Sequence, residues 1–247
     1  MHFDLAGKVG IVTGTSSGIG AGIAAVLAES GARVIGLSRT GAFKDPSLAS
    51  HPNLTQVRAD LLDPDALAEA VNKAAADRLD FLVNNAGMNI RKKAAEFSDD
   101  EFMSIQRLNV LAPFRLAVLC RPGLAKAPDR GRIVNIASVG AHLGIAEVAP
   151  YCASKGAVLA MTRSLATEWA GDNINVCSIS PGWFPSEMTR QVMDEERIGK
   201  ILARIPLHAF GDVRDLAAAA AFLVSGAGRY ITGQDFVVDG GALAAAY

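Results

Sequence analysis

The sequence has only three cysteines and no long apolar run, and each of these two shortages excludes a class of protein. Its three cysteines, Cys120, Cys152 and Cys177, are an odd number without paired spacing, which fits buried thiols in a reducing compartment. The longest apolar run, from Leu216 to Val224, is too short to span a bilayer. We therefore expect neither a disulfide framework nor a membrane protein.

An excess of charge of either sign is also lacking. Lys and Arg total 24 against 25 Asp and Glu, which removes the electrostatic argument for nucleic acid or an anionic membrane as a partner. The N-terminal residues Met1 to Lys8 lack a basic stretch followed by a long apolar segment, so no secretory signal is expected. The sequence predicts a cytoplasmic protein with a small-molecule partner and no metal site.

Short apolar runs alternate with Ala-rich helical stretches along the whole chain, and 50% of the residues are hydrophobic. Seven runs have the length and β-branched content of strands: 8–13, 33–38, 54–59, 79–84, 131–137, 173–180 and 234–238. Five longer stretches have helical character: 18–29, 64–77, 98–124, 150–170 and 212–224. Because strand and helix alternate strictly, we predict an α/β fold: a single-domain, doubly wound Rossmann fold over residues 1–247, with a seven-stranded, mostly parallel sheet and helices on both faces.

One long stretch, 184–210, contains no candidate strand. It follows the sixth predicted strand, near the carboxyl edge where ligands bind in sheets of this kind. We interpret it as a lid over the substrate, with an ordinary pair of surface helices as the alternative.

Tyr151 and Lys155 lie four residues apart in the fourth predicted helix, and Ser138 precedes the tyrosine by thirteen residues. Residues at i and i+4 share one face of a helix with Cβ atoms about 5–6 Å apart, so the Lys155 ammonium stands beside the phenol. Such a cation favours tyrosinate by roughly 3 kcal/mol at about 5 Å and an effective dielectric of about 20, while desolvation opposes it. We therefore expect a phenol of lowered pKa that exchanges the proton accompanying hydride transfer between an alcohol and a ketone.

The residues from Thr13 to Gly20 form a Gly-rich turn between the first predicted strand and the first predicted helix. Its glycines allow a tight turn and close approach of the backbone to a ligand, and the N-terminus of the helix attracts the pyrophosphate of a dinucleotide. A turn that only packs the helix onto the strand is the alternative. The flanking strand and helix favour the dinucleotide site.

The spacing Thr-Gly-x-x-x-Gly-x-Gly of this turn, together with Asn84-Asn85-Ala86-Gly87 after the fourth strand, resembles the short-chain dehydrogenase/reductase family. The resemblance extends from Lys8 to Gly241. It implies a nicotinamide-dependent oxidoreductase that interconverts a secondary alcohol and a ketone. The catalytic tetrad that it implies consists of Asn109, Ser138, Tyr151 and Lys155.

Each member of this tetrad has a role implied by the resemblance. Tyr151 is the general acid and base, and Lys155 lowers its pKa and hydrogen-bonds the nicotinamide ribose. Ser138 holds the substrate oxygen where charge develops. Asn109 anchors a water that links Lys155 to solvent.

The resemblance also implies the cofactor contacts. Asn85-Ala86-Gly87 form the floor under the adenosine ribose, Asp60-Leu61 the adenine pocket, and Pro181-Gly182 with Ser186 the nicotinamide-carboxamide segment. Where this chain has Ser186, the family more often has Thr, and Trp183-Phe184-Pro185 is a bulkier loop than the family pattern. The full set of implied contacts is Gly14, Ser16, Ser17, Gly18, Ile19, Gly20, Ser38, Arg39, Asp60, Leu61, Asn85, Ala86, Gly87, Tyr151, Lys155, Pro181, Gly182 and Ser186.

The choice of cofactor is made at the end of the second strand, where enzymes that use the unphosphorylated nucleotide commonly place an acid. This chain has Ser38-Arg39 there. A guanidinium pairs with a 2′-phosphate through charge-assisted hydrogen bonds, which favours NADP(H). NAD(H) is the alternative. In that case Arg39 is a solvated surface charge, and Ser17 is consistent with this because it supplies no second cation for a 2′-phosphate.

Three consecutive cations, Arg91-Lys92-Lys93, follow the fourth strand at the predicted rim of the site. They suit a carboxylate-bearing substrate, or they mark the solvated start of a helix. We take Arg91, His142 and Trp183 as the candidate substrate contacts. The region resembles the family branch that contains gluconate 5-dehydrogenases and 2-deoxy-gluconate or 5-keto-4-deoxyuronate oxidoreductases, so a sugar acid is the expected substrate.

Two other functions fit the same sequence. A 3-oxoacyl-carrier-protein reductase shares the fold and the tetrad, and a regulatory protein that binds NADP(H) without turnover shares the fold alone. The last strand and the long helices 98–124 and 150–170 resemble the subunit contacts of the family, which implies a homotetramer of closed symmetry.

Overall fold

A computed structural model describes residues 3–74, 78–185 and 195–245. Within them, seven strands form one sheet in the order β3-β2-β1-β4-β5-β6-β7. All neighbouring strands are parallel, so the sheet is parallel throughout rather than mostly parallel. The strands are β1 Val9–Thr13, β2 Arg33–Ser38, β3 Leu54–Arg58, β4 Phe81–Asn84, β5 Gly131–Ile136, β6 Ile174–Pro181 and β7 Asp235–Val238.

Helices cover both faces of this sheet, as the alternation of strand and helix predicts. The described α-helices are α1 Gly18–Glu29, α2 Pro46–Ala49, α3 Pro64–Ala74, α4 Asp99–Gln106, α5 Ala112–Leu124, α6 Ala149–Trp169, α7 Glu195–Leu202 and α8 Val213–Val224. Buried side chains of α1 and α8 pack on one face of the sheet. Those of α3, α5 and α6 pack on the other. The prediction of a doubly wound, single-domain Rossmann fold is therefore confirmed.

The predicted helix 98–124 is interrupted at Arg107–Leu111, which forms a π-helical turn. Pro113 has no N–H to donate to the carbonyl of Asn109 four residues earlier, so regular α-helical bonding cannot continue there. The helix begins as predicted, because Ser98 and Glu101 form a reciprocal capping box. Asn109 lies within this π-helical turn and is buried.

Several predicted features fall partly outside the described residues. Residues 186–194 of the predicted lid and the last three residues of the predicted helix 64–77 are among them. In the described part of the lid, α7 precedes Ile205, which is 2% exposed. Among the described helices, none is long and apolar enough to cross a membrane.

Candidate active site

Tyr151 and Lys155 lie in the first two turns of α6, one helical turn apart. The Lys155 ammonium nitrogen is 5.6 Å from the centre of the Tyr151 ring. It also donates a hydrogen bond of 2.8 Å to the carbonyl of Ile136, the last residue of β5. Lys155 therefore ties the start of α6 to the carboxyl end of the central strands, and the phenol stands beside it as predicted.

Ser138 follows β5 and begins a short 3-10 turn, Val139–Ala141. Its hydroxyl oxygen accepts a hydrogen bond from the Gly140 N–H at 3.0 Å. Burial raises the pKa of the nearby Tyr151 phenol, and interaction with the Ser138 hydroxyl opposes part of that rise. Because the turn occupies one lone pair of the oxygen, the hydroxyl proton is free to be donated. The geometry joins Ser138, Tyr151 and Lys155 in one group.

The predicted acidification of the phenol is wrong for the polypeptide alone. Burial raises the pKa of Tyr151 above its ordinary value of 10.0, and the hydrogen bond from Ser138 offsets only part of that rise. Burial also lowers the pKa of Lys155 to about 8, which weakens its hold on a positive charge. Desolvation dominates because Lys155 is 5% exposed, a burial that the helical spacing does not reveal.

Asn109 is 2% exposed and clamps the loop after β4 onto α6. Its amide oxygen accepts from the Met88 N–H at 2.8 Å, and its amide nitrogen donates to the Met88 carbonyl at 2.9 Å. The same nitrogen donates to the Ser154 hydroxyl at 3.0 Å. A Cβ at Gly87 would lie 3.1 Å from the Asn109 amide oxygen, so the clamp requires a small residue there. The water relay through Asn109 stays a prediction.

The Gly-rich turn fits the pyrophosphate of a dinucleotide. Ser17 precedes α1 but its side chain caps no backbone N–H, so the first-turn N–H groups of the helix are left for a ligand. Gly14 has φ +72°, which glycine adopts without strain. A Cβ at Gly20 would lie 2.3 Å from the Gly14 carbonyl oxygen, so this close approach of helix and strand excludes any side chain.

Asn85 and Ala86 join the loop after β4 to the end of β1. The Thr13 hydroxyl accepts from both of their N–H groups at 3.0 Å, and the Asn85 amide donates to the Thr13 carbonyl at 2.9 Å. A buried chain that sequence reasoning missed continues inward: Asn84 donates to Asn135, and Asn135 to Thr162 of α6. These bonds tie the carboxyl end of β4 to β5 and α6, and the loop after β4 to β1.

The end of β2 is organised by Gln56 of β3, which sequence reasoning also missed. Its amide nitrogen donates to the Thr15 hydroxyl at 2.8 Å, and its amide oxygen accepts from the same hydroxyl and from Ser38. Ser38 accepts from the Gly41 N–H at 3.1 Å. Arg39 is exposed, and no ion pair within the described residues engages its guanidinium. An unpaired cation thus stands at the predicted ribose end.

The predicted adenine and carboxamide segments have distinct environments. Leu61 is buried in the core at 8% exposure, whereas Asp60 is exposed and accepts from the Leu62 N–H at 2.9 Å. The Gly182 N–H donates to the Val238 carbonyl at 2.8 Å, and a Cβ at Gly182 would lie 2.7 Å from the Asp239 Cα. Ser186 lies outside the described residues.

The rim of the site is less positive than the sequence predicts, because two of its three cations have carboxylate partners. Arg91 forms an ion pair with Glu147, and Lys92 with Glu101. The Lys92 N–H also donates to the Glu147 carbonyl at 2.9 Å. Sequence reasoning missed both acids, although Glu101 lies only nine residues from Lys92; Glu147 lies 56 residues from Arg91. The pair between Arg91 and Glu147 closes one loop of the site against the other.

The other two candidate substrate contacts lie nearer to the last strand. The Nε2 atom of His142 is 2.8 Å from a carboxylate oxygen of Asp235. Trp183 is partly buried, and its carbonyl accepts from the Gly211 N–H at 3.1 Å. The ring of His142 is therefore held by β7. Its role as a substrate contact stays a prediction, as does that of Trp183.

A parallel doubly wound sheet with a glycine-lined turn and a Ser, Tyr and Lys group at one edge defines an oxidoreductase of the dinucleotide-binding class. A family model described as enoyl-(acyl carrier protein) reductase matches residues 14–242. The chain belongs to the short-chain dehydrogenase/reductase family, and it is an enzyme of the dehydrogenase/reductase class that acts on CH–OH donors.

Three relatives show the range of this similarity. The chain is 38% identical to a 2-dehydro-3-deoxy-D-gluconate 5-dehydrogenase of Dickeya dadantii (strain 3937), with 98% of each chain covered. It is 38% identical to a 3-oxoacyl-[acyl-carrier-protein] reductase of Vibrio cholerae, with 96% of this chain and 98% of the relative covered. A solved gluconate 5-dehydrogenase of Burkholderia cenocepacia J2315, in complex with NADP and tartrate, has a TM-score of 0.89 and 30% identity over 99% of this chain and 98% of the relative.

Proposed function

We propose that this enzyme uses NADP(H) to interconvert a secondary alcohol and a ketone on a sugar acid, with Tyr151 as the general acid and base. The observation that carries the proposal is the convergence of Ser138, Tyr151 and Lys155 at the sheet edge where the Gly-rich turn also lies. The intact group argues against a binding protein without turnover.

The side chains divide the proton transfer between them. In the direction of reduction, Ser138 donates a hydrogen bond to the carbonyl oxygen of the substrate, and Tyr151 gives that oxygen its phenolic proton. A nicotinamide cofactor bound in the cleft would supply the hydride that the carbonyl carbon receives. The phenol favours its protonated form because burial raises its pKa, so it is ready to act as an acid. In oxidation, Tyr151 takes the proton back as a base.

Lys155 and Asn109 position this group. Lys155 is anchored to the Ile136 carbonyl and stands over the Tyr151 ring, which supports a role in holding the phenol toward the cleft. With the cofactor bound, its ammonium would donate to the nicotinamide ribose. Asn109 fixes the loop that carries Gly87. A Cβ added at Gly87 would lie 3.8 Å from the Lys155 ammonium nitrogen, so this loop packs beside the lysine. Both residues limit the motion of the reacting atoms.

The preference for NADP(H) rests on Arg39. It is exposed at the end of β2 beside buried Ser38, and no carboxylate of the described residues pairs with it. Replacement by Asp removes the cation and adds a charge that repels a 2′-phosphate. We expect Arg39→Asp to lower kcat/KM for NADPH by at least about tenfold, since a hydrogen-bonded charge pair contributes about 1.5–3 kcal/mol.

The matched measurement is kcat/KM for NADH in the same variant, which we expect to stay within about threefold of the wild-type value or to rise. Arg33→Asp, on the same strand and also exposed, is the control for an added acid near β2. A wild-type enzyme that favours NADH over NADPH would contradict the cofactor assignment.

The proposed substrate class draws on the rim and on the relatives. Two relatives are named for sugar acids, and one was solved with tartrate, a dicarboxylate. In this chain, a substrate carboxylate would replace Glu147 as the partner of the Arg91 guanidinium. It could instead pair with Lys93, which is exposed on the same loop. A 3-oxoacyl thioester is the second candidate, because one relative of equal identity is a 3-oxoacyl-[acyl-carrier-protein] reductase.

The test is a panel of keto sugar acids, neutral sugars, 3-oxoacyl thioesters and simple ketones, with the oxidation of NADPH and NADH followed by absorbance. We expect the highest kcat/KM with a keto sugar acid. Arg91→Gln should raise KM for that substrate by about tenfold and leave KM for a neutral ketone unchanged. Turnover of thioesters without turnover of sugar acids would select the second candidate.

We further propose a homotetramer and a substrate lid over residues 184–210. The described part of that lid contacts the end of the chain, since the Leu207 N–H donates to the Gly240 carbonyl at 3.2 Å. A lid tied to the residues that follow β7 would couple closure over the substrate to the edge strand of the sheet.

A further inference from the structure

A polar cluster outside the catalytic group joins β6, β7 and the turn after Ser138. The Asp235 carboxylate accepts hydrogen bonds from the hydroxyls of Ser178 at 2.7 Å and Ser180 at 2.8 Å. Its second oxygen, which Ser180 contacts, is also 2.8 Å from Nε2 of His142. His142 is the residue that ends the turn begun by Ser138. One carboxylate on the edge strand is thus bonded to the segment that carries the proposed contact to the substrate oxygen.

We propose that the contact between Asp235 and His142 positions the Ser138 hydroxyl for the reaction. This inference rests on the proposed function, in which Ser138 holds the substrate oxygen. In this inference Asp235 and His142 act through the turn, and His142 is a positioning residue in place of the substrate contact that the sequence suggests. Neither role was evident from the sequence, because 93 residues separate the two side chains.

The turn between Ser138 and His142 is attached to the sheet at its start, where the Ala137 N–H donates to the Ile179 carbonyl of β6 at 2.7 Å. Its internal hydrogen bonds run from Gly140 to the Ser138 hydroxyl, and from the Ala141 and His142 N–H groups to the Ser138 and Val139 carbonyls. These bonds shape the turn, in which Val139 and Gly140 are buried, and none of them reaches β7. The imidazole of His142 reaches across β6 to β7 and anchors the end of the turn to the edge strand.

The attachment is well protected on the side of the sheet. Ser180 is 0% exposed and Ser178 is 1% exposed, so both hydroxyls meet Asp235 away from water. The side chains of His142 and Asp235 are 32% and 17% exposed. Because two buried hydroxyls of β6 donate to the carboxylate, its position is set by the sheet and not by the loop that carries His142.

The link from this contact to catalysis is the direct bond between the turn and the catalytic oxygen. The Ser138 hydroxyl accepts from the Gly140 N–H, so a shift of the turn moves or rotates that hydroxyl. A misplacement of about 1 Å can lower a rate by about a hundredfold, because the reacting groups must stay aligned. The Gly-rich turn and Arg39 lie on other loops, so KM for NADP⁺ should change little.

The test compares four variants of the full chain: Asp235→Ala, His142→Ala, the double variant, and Ser178→Ala as the matched control. Ser178→Ala removes one hydrogen bond to Asp235 but leaves the bond to His142 in place. With D-gluconate and NADP⁺, we expect each of the first two variants to lower kcat by at least about fivefold, and the control by less than twofold. KM for NADP⁺ should stay within about twofold in all of them.

Two further readouts separate positioning from folding or direct contact. The double variant should be no slower than the slower single variant, since both residues serve one contact. Hydrogen exchange at the N–H groups of residues 140–143 should become at least about tenfold faster in Asp235→Ala and His142→Ala and stay unchanged in β1. Asp235→Asn should restore kcat, because its amide oxygen can accept from Ser180 and His142 while its nitrogen faces Ser178.

The inference is overturned if either single variant keeps kcat within twofold of the wild type, or if the two losses multiply in the double variant. A rise in KM for D-gluconate in His142→Ala alone, with kcat unchanged, would make His142 a substrate contact and also overturn it. A wild-type enzyme that turns over no compound of the panel would instead refute the proposed function. In that case, hydrogen exchange at residues 140–143 that stays slow in Asp235→Ala and His142→Ala would show that the contact between these two side chains does not hold the turn.

Discussion

Burial acts on the two central side chains of the site in a consistent direction. It raises the pKa of Tyr151 and lowers the pKa of Lys155 to about 8, so burial shifts each group toward its neutral form. A protonated phenol suits the reduction of a ketone. In oxidation the same residue must first lose its proton, so that direction should become faster as the pH rises.

Replacing the catalytic phenol tests this assignment. We expect Tyr151→Phe to lower kcat/KM by more than tenfold, and by about 10²–10⁴-fold if it removes all of the acid and base catalysis. The rise of the oxidation rate with pH should also disappear in the variant. A variant that keeps kcat/KM within a factor of ten of the wild type would rule out proton transfer by Tyr151.

Lys155 should lower the free energy of unfolding, because its ammonium group is buried beside the catalytic tyrosine. Its folded pKa of about 8 lies below the unfolded value near 10.5, so below about pH 8 the buried cation costs up to about 3 kcal/mol. As pH rises from about 8 to 10.5, the folded state loses this proton and the cost is relieved.

We therefore expect Lys155→Met to raise the free energy of unfolding at pH 7 by about 1–3 kcal/mol, less the loss of the bond to Ile136. The gain should shrink between about pH 8 and 10.5, measured by urea unfolding at several pH values. Lys126→Met, at an exposed position, is the control and should show no such trend. A variant that is less stable than the wild type across the whole pH range would contradict the argument.

At the scale of elements, the contact between β1 and α1 decides whether the turn accepts a cofactor. Gly20 packs against the Gly14 carbonyl, which leaves no room for a methyl group. We expect Gly20→Ala to weaken NADPH binding by at least about tenfold and to lower stability by about 1–3 kcal/mol, because backbone rather than a flexible side chain must move. Fluorescence titration with NADPH and thermal unfolding measure the two effects.

Gly199→Ala is the matched control for this substitution. Gly199 lies in α7, and nothing would lie within 4 Å of the added methyl group. This variant should bind NADPH normally and gain about 0.5–1 kcal/mol of stability, since Ala favours helices over Gly. Equal NADPH affinity in Gly20→Ala and the wild type would show that the turn does not cradle the cofactor.

Element boundaries followed closely from local signals. The strand β2 and the helix α1 have the predicted bounds, because β-branched runs and an Ala-rich stretch are separated by glycine. The break in the predicted helix 98–124 was missed, although Pro113 marks it. Pro113 has no N–H, so the carbonyl of Asn109 receives no α-helical hydrogen bond from it. The signal was present, because a proline in the middle of the predicted helix 98–124 indicates a break, and Pro113 is in fact in the first turn of the separate helix α5.

At the scale of the whole molecule, an apolar strip runs along α4, the π-helical turn and α5. It consists of Met103, Leu111, Phe114 and Val118, which are 45%, 38%, 43% and 46% exposed. The first three line a shallow pocket that extends to Met161 of α6. An exposed apolar surface of this kind favours association, and the sequence resemblance implies subunit contacts through these same helices.

We expect Phe114→Glu to convert the proposed tetramer into smaller species, because it places a charge at the centre of the apolar strip. Light scattering with size-exclusion chromatography measures the mass. Leu62→Glu is the control, since Leu62 is 43% exposed outside the strip and should leave the mass unchanged. A wild-type monomer at micromolar concentration would refute the assembly.

Local pattern determined the fold class, the seven strands and the position of the Tyr151 and Lys155 pair, because periodicity and helical spacing act over a few residues. Only the tertiary structure decided the electrostatics of the site. Burial reversed the expected pKa shift of Tyr151, and Glu147 neutralised Arg91 from 56 residues away. Desolvation and long-range ion pairs depend on which segments meet in space, and that information is not contained in the spacing of residues along the chain.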